Sequence, residues 1–311
     1  MAKCTKCGGK AVIEMRYGPH NFCASHFKEF FERRVRKSVR KFRMVKDKEH
    51  VAVALSGGKD SVATLHILHN ILNKKNKISA IGIDEGVKGY RDKALAVARK
   101  NCEELGVDYY ETSFEKEFGI TLTEVMDKIG VGKEQGTSCS YCGVFRRKLI
   151  NQLARNIKAK KVATGHNLDD ECQSITMNIF DGDLSRLARL GPVSKVGAIK
   201  GFVPRIKPLY ETPEDEVIKY VEVAGIEAYV NKCCPYRWQA KRNSFRKMLD
   251  DMEETYPGTK FSILRSFLGM KALFRKERGK GNLKFCKECG EPTSTEVCGA
   301  CRQLARVKGG L

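Results

Sequence analysis

The stretch "ALSGGKDSVA", Ala54 to Ala63, follows "HVAV" (His50 to Val53), a run with the look of a buried strand, and opens the apolar-periodic "SVATLHILHNIL". Two glycines, a lysine and two hydroxyls thus stand where a strand turns into a helix. Glycines let the backbone approach a ligand closely, and the first N–H groups of a helix have no intrahelical partner. With the helix dipole favouring negative charge, such a turn is a phosphate site. It is not a Walker A loop: that pattern spaces its glycines more widely, and here Asp60 separates Lys59 from Ser61.

Working outward, "HVAVALS", "KISAIGID", "VDYYETS" and "KKVATGH" read as short apolar strands, each followed by a helix-like segment. That alternation predicts an α/β fold, a parallel sheet with helices on both faces. Ligands then gather at the carboxyl ends of the strands. "SGGKDS" ends the first strand, "DEG" (Asp84 to Gly86) the second and "GHNLDD" (Gly165 to Asp170) the fourth. A basic helical stretch from about Phe27 to Val45 precedes the sheet; a helix beginning at Pro213 with an acidic first turn follows it, and the chain is helical again from about Lys241.

The chain has 311 residues, 58 Lys plus Arg against 37 Asp plus Glu, and a formal charge of +21. A polyanion partner is expected, with nucleic acid the leading candidate. The charge clusters in Lys28 to Lys46, in "FRRK" (Phe145 to Lys148) and in "YRWQAKRNSFRK" (Tyr236 to Lys247), the last two interleaved with aromatics suited to stacking on unpaired bases. No run is long and apolar enough for a membrane span and "MAKCTKCGGK" lacks a signal-peptide core, so a cytoplasmic location without membrane contact is expected.

Thirteen cysteines in a reducing compartment point to metal or redox chemistry rather than disulfides. Cys4, Cys7, Cys23 and His26 form C-x₂-C-x₁₅-C-x₂-H, and Cys286, Cys289, Cys298 and Cys301 form C-x₂-C-x₈-C-x₂-C. Paired knuckles of this kind hold tetrahedral zinc, so two structural Zn²⁺ ions are expected. Cys139 and Cys142 form a further C-x₂-C before a basic helix, and Cys233 and Cys234 lie in a later loop. From the residues alone four readings stay open: a three-cysteine iron–sulfur cluster with one iron free, a redox pair able to carry a persulfide, a third zinc, or structural thiols. Cys102 and Cys172, each in a helical pattern, read as structural.

"SGGKDS" resembles the PP-loop of the N-type ATP pyrophosphatases, which cut ATP between the α and β phosphates. The N-terminal knuckle, this loop, the central C-x₂-C, "GHN-x-DD", a cysteine before an Arg-rich helix and the C-terminal ribbon occur in the order of the TtcA/TtuA family of tRNA 2-thiolation enzymes, whose TtuA group the chain closely resembles over nearly its whole length. The resemblance implies an adenine nucleotide alpha hydrolase-like PP-loop fold flanked by two zinc modules. It divides the chain into an N-terminal finger (1–30), a basic helical linker (31–48), the catalytic domain (49–255), a helical linker (256–283) and a C-terminal ribbon (284–311).

The resemblance also implies an activity. ATP, with Mg²⁺, adenylates the C2 oxygen of a wobble or T-loop uridine of tRNA, and sulfur held on a [4Fe-4S] cluster displaces AMP to give 2-thiouridine. Free sulfide or a ubiquitin-like carrier thiocarboxylate would donate the sulfur, and the enzyme would be a homodimer. By match to the family motifs, Ser56, Gly57, Gly58 and Ser61 hold pyrophosphate and Lys59 neutralises charge. Ala54, Ser56 and Ile83 present strand-end backbone to adenine. Lys59, Arg146 and Gly165 contact ATP, Lys59 and Asp60 are catalytic, and Asp170 is a catalytic or metal-positioning carboxylate. Cys139, Cys142 and Cys234 hold the cluster, Cys234 being preferred to Cys233 on register. Two other functions compete: a PP-loop amidotransferase or synthetase acting on a small molecule, which needs neither zinc modules nor basic helices, and a non-catalytic tRNA-binding module, which leaves "SGGKDS" without a purpose.

Overall fold

The computed structural model describes residues 2–130, 137–194, 201–230, 234–236, 238, 240–276 and 284–309. At the N-terminus β1 (Ile13–Met15) and β2 (His20–Phe22) pair antiparallel and lead into α1 (Ala24–Lys41). Then come β3 (His50–Ala54), α2 (Lys59–Leu72), β4 (Lys77–Asp84), α3 (Arg91–Leu105) and β5 (Asp108–Ser113). The chain continues through α4 (Phe114–Phe118), α5 (Leu122–Ile129), α6 (Ser138–Asn156), β6 (Lys161–Ala163), α7 (Leu168–Phe180), α8 (Leu184–Leu187) and β7 (Arg205–Ile206). Last are α9 (Glu214–Val223), α10 (Arg242–Thr255), α11 (Thr259–Lys276), the hairpin β8 (Lys284–Phe285) and β9 (Pro292–Thr293), and α12 (Gly299–Val307).

The central sheet is parallel throughout, in the order β5-β4-β3-β6-β7. The chain therefore moves outward from β3 to β5 and returns on the other side of β3, which makes the carboxyl ends of β3 and β6 the switch point where a crevice opens. All four expected strands are present. The fifth, β7, is two residues behind Pro204, too short to leave a periodic signal. The basic helix begins and ends earlier than its pattern suggested, at Ala24 and Lys41, so His26 lies inside it.

Side chains alternate across the strands, and both faces are buried. Val51, Val53, Ala80 and Ile206 face one core with Phe27, Phe31 and Val35 of α1; Ala52, Ile81, Ile83 and Val162 face the other with α5 and α6. The terminal modules join these cores: Met15 and Phe22 enter the first, and Cys286, Ala300 and Val307 the second. Phe31 stacks on Tyr220 of α9 with centroids 4.2 Å apart, and burying such a ring contributes roughly 1.5–3 kcal/mol. That packing fixes α9, whose first residue reaches the phosphate loop. Among the described residues no helix is long and apolar enough to cross a membrane.

Candidate functional site

At the end of β3 the chain turns through Leu55 to Gly58, and Gly58 caps α2. Gly57 has φ +82, and a Cβ there would lie 1.8 Å from the Ala94 carbonyl oxygen, so only glycine fits. Gly165, at the end of β6, is equally confined: a Cβ would lie 2.7 Å from the Asp60 carbonyl carbon. The two hydroxyls organise the turn. Ser61 Oγ donates to Gly58 O (2.8 Å), accepts from Ser56 N (3.1 Å) and lies 3.0 Å from Ser56 Oγ. A cavity of about 270 Å³ opens over this turn, lined by Ala54, Ser56, Gly58, Asp60, Ser61, Ile83, Arg146, Gly165 and Asp170, with Thr164 and His166 beside them. Gly57 shapes the turn without lining the cavity, and Lys59 faces an adjoining hollow with Tyr90 and Tyr229.

Charges around the cavity are closely matched. Lys59 Nζ lies 2.9 Å from Asp60 Oδ2 and 2.7 Å from Glu214 Oε1, at the start of α9. Burial works against its charge, but the two carboxylates outweigh burial and hold its pKa above the ordinary lysine value. For Asp60 burial wins and raises the pKa, against the pull of Lys59 and of Asn167, whose amide donates at 3.0 Å. Burial also disfavours the charge of Glu214, yet Lys59 and Arg246 hold it below the usual carboxylate range. Arg242 and Arg246 of α10 reach Asp170 (2.9 Å) and Glu214 (2.5 Å). Arg91, almost fully buried, donates to the carbonyls of Ile83 (2.6 and 2.8 Å) and Ser56 (3.0 Å) and pairs with Glu85 (2.6 Å). Two of the strand-end carbonyls are thereby occupied by the protein itself.

The two aspartates of "GHNLDD" diverge. Asp170 closes a capping box with Asn167 at the start of α7 and looks into the cavity. Asp169 turns the other way, accepts from Glu214 N (2.7 Å) and pairs with the buried Lys260 of α11. It positions the carboxylate that holds Lys59.

Cys139 and Cys142 occupy the first turns of α6, behind a Thr137–Ser140 capping box. Cys142 is buried, which pushes its thiol up to about 11 against the opposing pull of Arg146, whose Nη2 lies 3.0 Å from the sulfur. Arg146 also places Nε 2.7 Å from Glu85 Oε1. Cys234 comes to the same place. Burial raises its pKa, and Cys139, Glu85 and Arg146 are the charges that act on it. Its approach is fixed at two points: Tyr229 N donates to Gly57 O (2.8 Å), and Ser138 Oγ donates to Tyr236 O (3.4 Å). Cys233 lies outside the described residues. Cys102 and Cys172 are buried elsewhere; Cys172 donates to Lys260 O (3.1 Å) and burial raises Cys102 to about 12.

The terminal sets differ in kind. Within each of Cys4, Cys7, Cys23, His26 and Cys286, Cys289, Cys298, Cys301, the ligand atoms lie within 4.8 Å of one another, and these are the only such groups among the described residues. Zinc–sulfur bonds of about 2.3 Å in a tetrahedron separate neighbouring sulfurs by about 3.8 Å. The Cys7–Cys23 and Cys289–Cys298 separations are 3.8 and 3.7 Å. Both sets fit one tetrahedral ion. The three central cysteines do not close in this way, which disfavours a single zinc and suits thiolates bound to separate irons of a cluster.

The sequence matches the PP-loop domain family over residues 27–252. It is 35% identical to the tRNA 2-thiolation protein NcsA of Haloferax volcanii, over 98% of this chain and 99% of that protein. The chain belongs to the PP-loop family of tRNA 2-thiolation proteins. A second relative, tRNA-5-methyluridine(54) 2-sulfurtransferase of Pyrococcus horikoshii, is 34% identical over 96% of this chain and 93% of its own length. The fold superposes on the U34-tRNA thiolase NcsA of Methanococcus maripaludis, solved with its [4Fe-4S] cluster, with a TM-score of 0.82, 35% identity and coverage of 97% and 95% of the two chains.

In this PP-loop protein Ala54, Ser56, Gly58, Asp60, Ser61, Ile83, Arg146, Gly165 and Asp170 line one cavity, and Cys142 lies against Arg146. Glu85, Arg91, Asn167, Asp169, Glu214, Arg242 and Arg246 were not picked out by motif. Glu214 had a signal, the acidic turn after Pro213, but that turn also serves ordinary helix-end chemistry. Its partner Lys59 is 155 positions away, beyond the reach of local pattern.

Proposed function

We propose that this protein is an ATP-dependent tRNA-uridine 2-sulfurtransferase. The uridine C2 oxygen attacks the α-phosphorus of ATP and pyrophosphate leaves; a sulfur nucleophile then attacks C2, the C2–O bond breaks, and AMP departs with that oxygen. The turn from Ser56 to Ser61 receives the phosphates through its N–H groups and hydroxyls, and Lys59 offsets their charge. Ala54, Ile83 and Gly165 shape the remaining walls. Asp60 and Asp170, both facing the cavity, are the oxygen ligands available to Mg²⁺.

One observation carries the reading: Arg146 lines the nucleotide cavity, pairs with Glu85 and touches Cys142 Sγ, so activation and sulfur delivery share a boundary one side chain wide. A [4Fe-4S] cluster held by Cys139, Cys142 and Cys234, when bound, supplies the site that presents sulfur as a nucleophile. Two structural zinc ions at the terminal sets, the division of the chain into units 1–30, 31–48, 49–255, 256–283 and 284–311, a homodimer, a cytoplasmic location and a sulfide or thiocarboxylate donor complete the proposal. The relatives' names cover both position 34 and position 54 of tRNA, so the target is a uridine of one of these two classes.

The test is a reaction of anaerobically prepared protein with unmodified tRNA, ATP and sulfide. Equal amounts of 2-thiouridine, AMP and pyrophosphate are expected. Thiolation without ATP, or with ADP as product, would overturn the proposal, and failure to act on tRNA with turnover of a small amide acceptor would favour the synthetase reading.

A further inference from the structure

Around the cavity, among the described residues, the cations are matched. Lys59, Arg91, Arg146, Lys207, Arg242 and Arg246 all face a carboxylate within 3 Å. Two neighbouring arginines break this pattern. Arg147 on α6 and Arg205 at the start of β7 have no carboxylate partner among the described residues. Instead they meet each other, with Arg205 Nη2 donating to the Arg147 carbonyl at 3.1 Å. Burial, Arg146 and Arg186 lower Arg147 while the Cys142 thiol pulls it up, and for Arg205 burial and then Arg147 bring the guanidinium down to about 10. Like charges set side by side cost free energy in the unliganded protein, so the arrangement is stabilised when an anion arrives.

The position says which anion. Neither arginine lines the nucleotide cavity, yet Arg147 follows the cavity residue Arg146 in sequence and Arg205 is close enough to act on His166, another lining residue. The pair stands on the rim, outside the chamber that takes ATP. We propose that Arg147 and Arg205 bind the phosphodiester backbone of the RNA strand beside the nucleotide delivered into the cavity. The guanidinium fork suits phosphate oxygens, and such contacts set the register of a strand without reading its bases. This rests on the thiolation reading for its substrate.

The experiment measures binding of an unmodified tRNA transcript to the full chain across salt concentrations, in parallel with ATP binding, for Arg147→Gln, Arg205→Gln and Arg205→Lys. Each Gln variant is expected to weaken tRNA binding about fivefold at 0.1 M salt and to reduce the slope of log K against log salt by about 0.7–0.9, with ATP affinity unchanged. Arg205→Lys should keep the slope. Unchanged tRNA affinity and slope would overturn the proposal, as would loss of ATP affinity in its place, which would assign the pair to nucleotide phosphates. A drop in slope in Arg205→Lys equal to that in Arg205→Gln would show that the retained charge does not meet phosphate and would also overturn it. A wild-type protein that binds tRNA with a steep salt slope but does not thiolate it would break the function above and leave this test intact.

Discussion

Each end of the chain and its centre carry a C-x₂-C pair, yet the pairs are completed in different ways. At each end four ligand atoms converge within 4.8 Å and the site is closed. At the centre Cys139, Cys142 and Cys234 gather around Arg146 and Glu85 without closing. The difference teaches that spacing identifies a site only when all its ligands are local pairs. The central cysteines depend on contacts distant in sequence: Tyr229 N donates to Gly57 O of the phosphate loop, and Ser138 Oγ of α6 donates to Tyr236 O.

The largest effect expected is loss of the central site. Cys139→Ala, Cys142→Ala and Cys234→Ala should each remove the iron–sulfur absorbance of anaerobically prepared protein and all thiolation, while metal analysis still finds two zinc ions. Cys233→Ala is the control. If it removes the absorbance and Cys234→Ala does not, the neighbouring cysteine is the ligand; if neither does, a persulfide on Cys139 and Cys142 replaces the cluster.

Next comes the phosphate loop. Lys59→Ala should lower thiolation by about 100-fold or more, the usual consequence of removing a charge partner of the reacting phosphate, with cluster absorbance and tRNA binding kept. Glu214→Gln should have a milder effect on the ATP KM, because it frees Lys59 without removing it. A loss of absorbance in either variant would show that the two regions are not separable.

The closed sites should behave differently under substitution. Cys7→Ala is expected to leave one zinc per chain and to lower Tm by roughly 5 °C, because Met15 and Phe22 in that module belong to the sheet's own core. An unchanged zinc count would break the comparison at its simpler end. Smallest of all, Cys102→Ala should change neither metal content nor activity and cost about 1 kcal/mol. With its thiol pushed up to about 12 by burial, Cys102 stays protonated at pH 8 and should resist alkylation until the protein unfolds.

The sequence carried more of the sheet than of the site's electrostatics. Strands β3 to β6 were readable because apolar runs bounded by turns are local, and both terminal tetrads because their pairs are. Ala54, Ser56, Ile83 and Gly165 are named by the match to the family motifs, and all four line the cavity. Glu85, buried between Arg91 and Arg146, has no signal of its own within "DEG", since nothing in three letters tells a solvated glutamate from one that holds two guanidiniums. Asp169 and Asp170 are adjacent in sequence, and only the helix they begin turns one toward the cavity and the other toward Lys260.

The central claim is that ATP activates the uridine C2 oxygen, and the label on that oxygen tests it most directly. A tRNA carrying ¹⁸O at O2 of the target uridine should, after one turnover with ATP and sulfide, yield AMP that contains one ¹⁸O in its phosphate, in amount equal to the 2-thiouridine formed. Label recovered in water or in pyrophosphate, with unlabelled AMP, would contradict adenylation of the uridine and with it the role assigned to the phosphate loop.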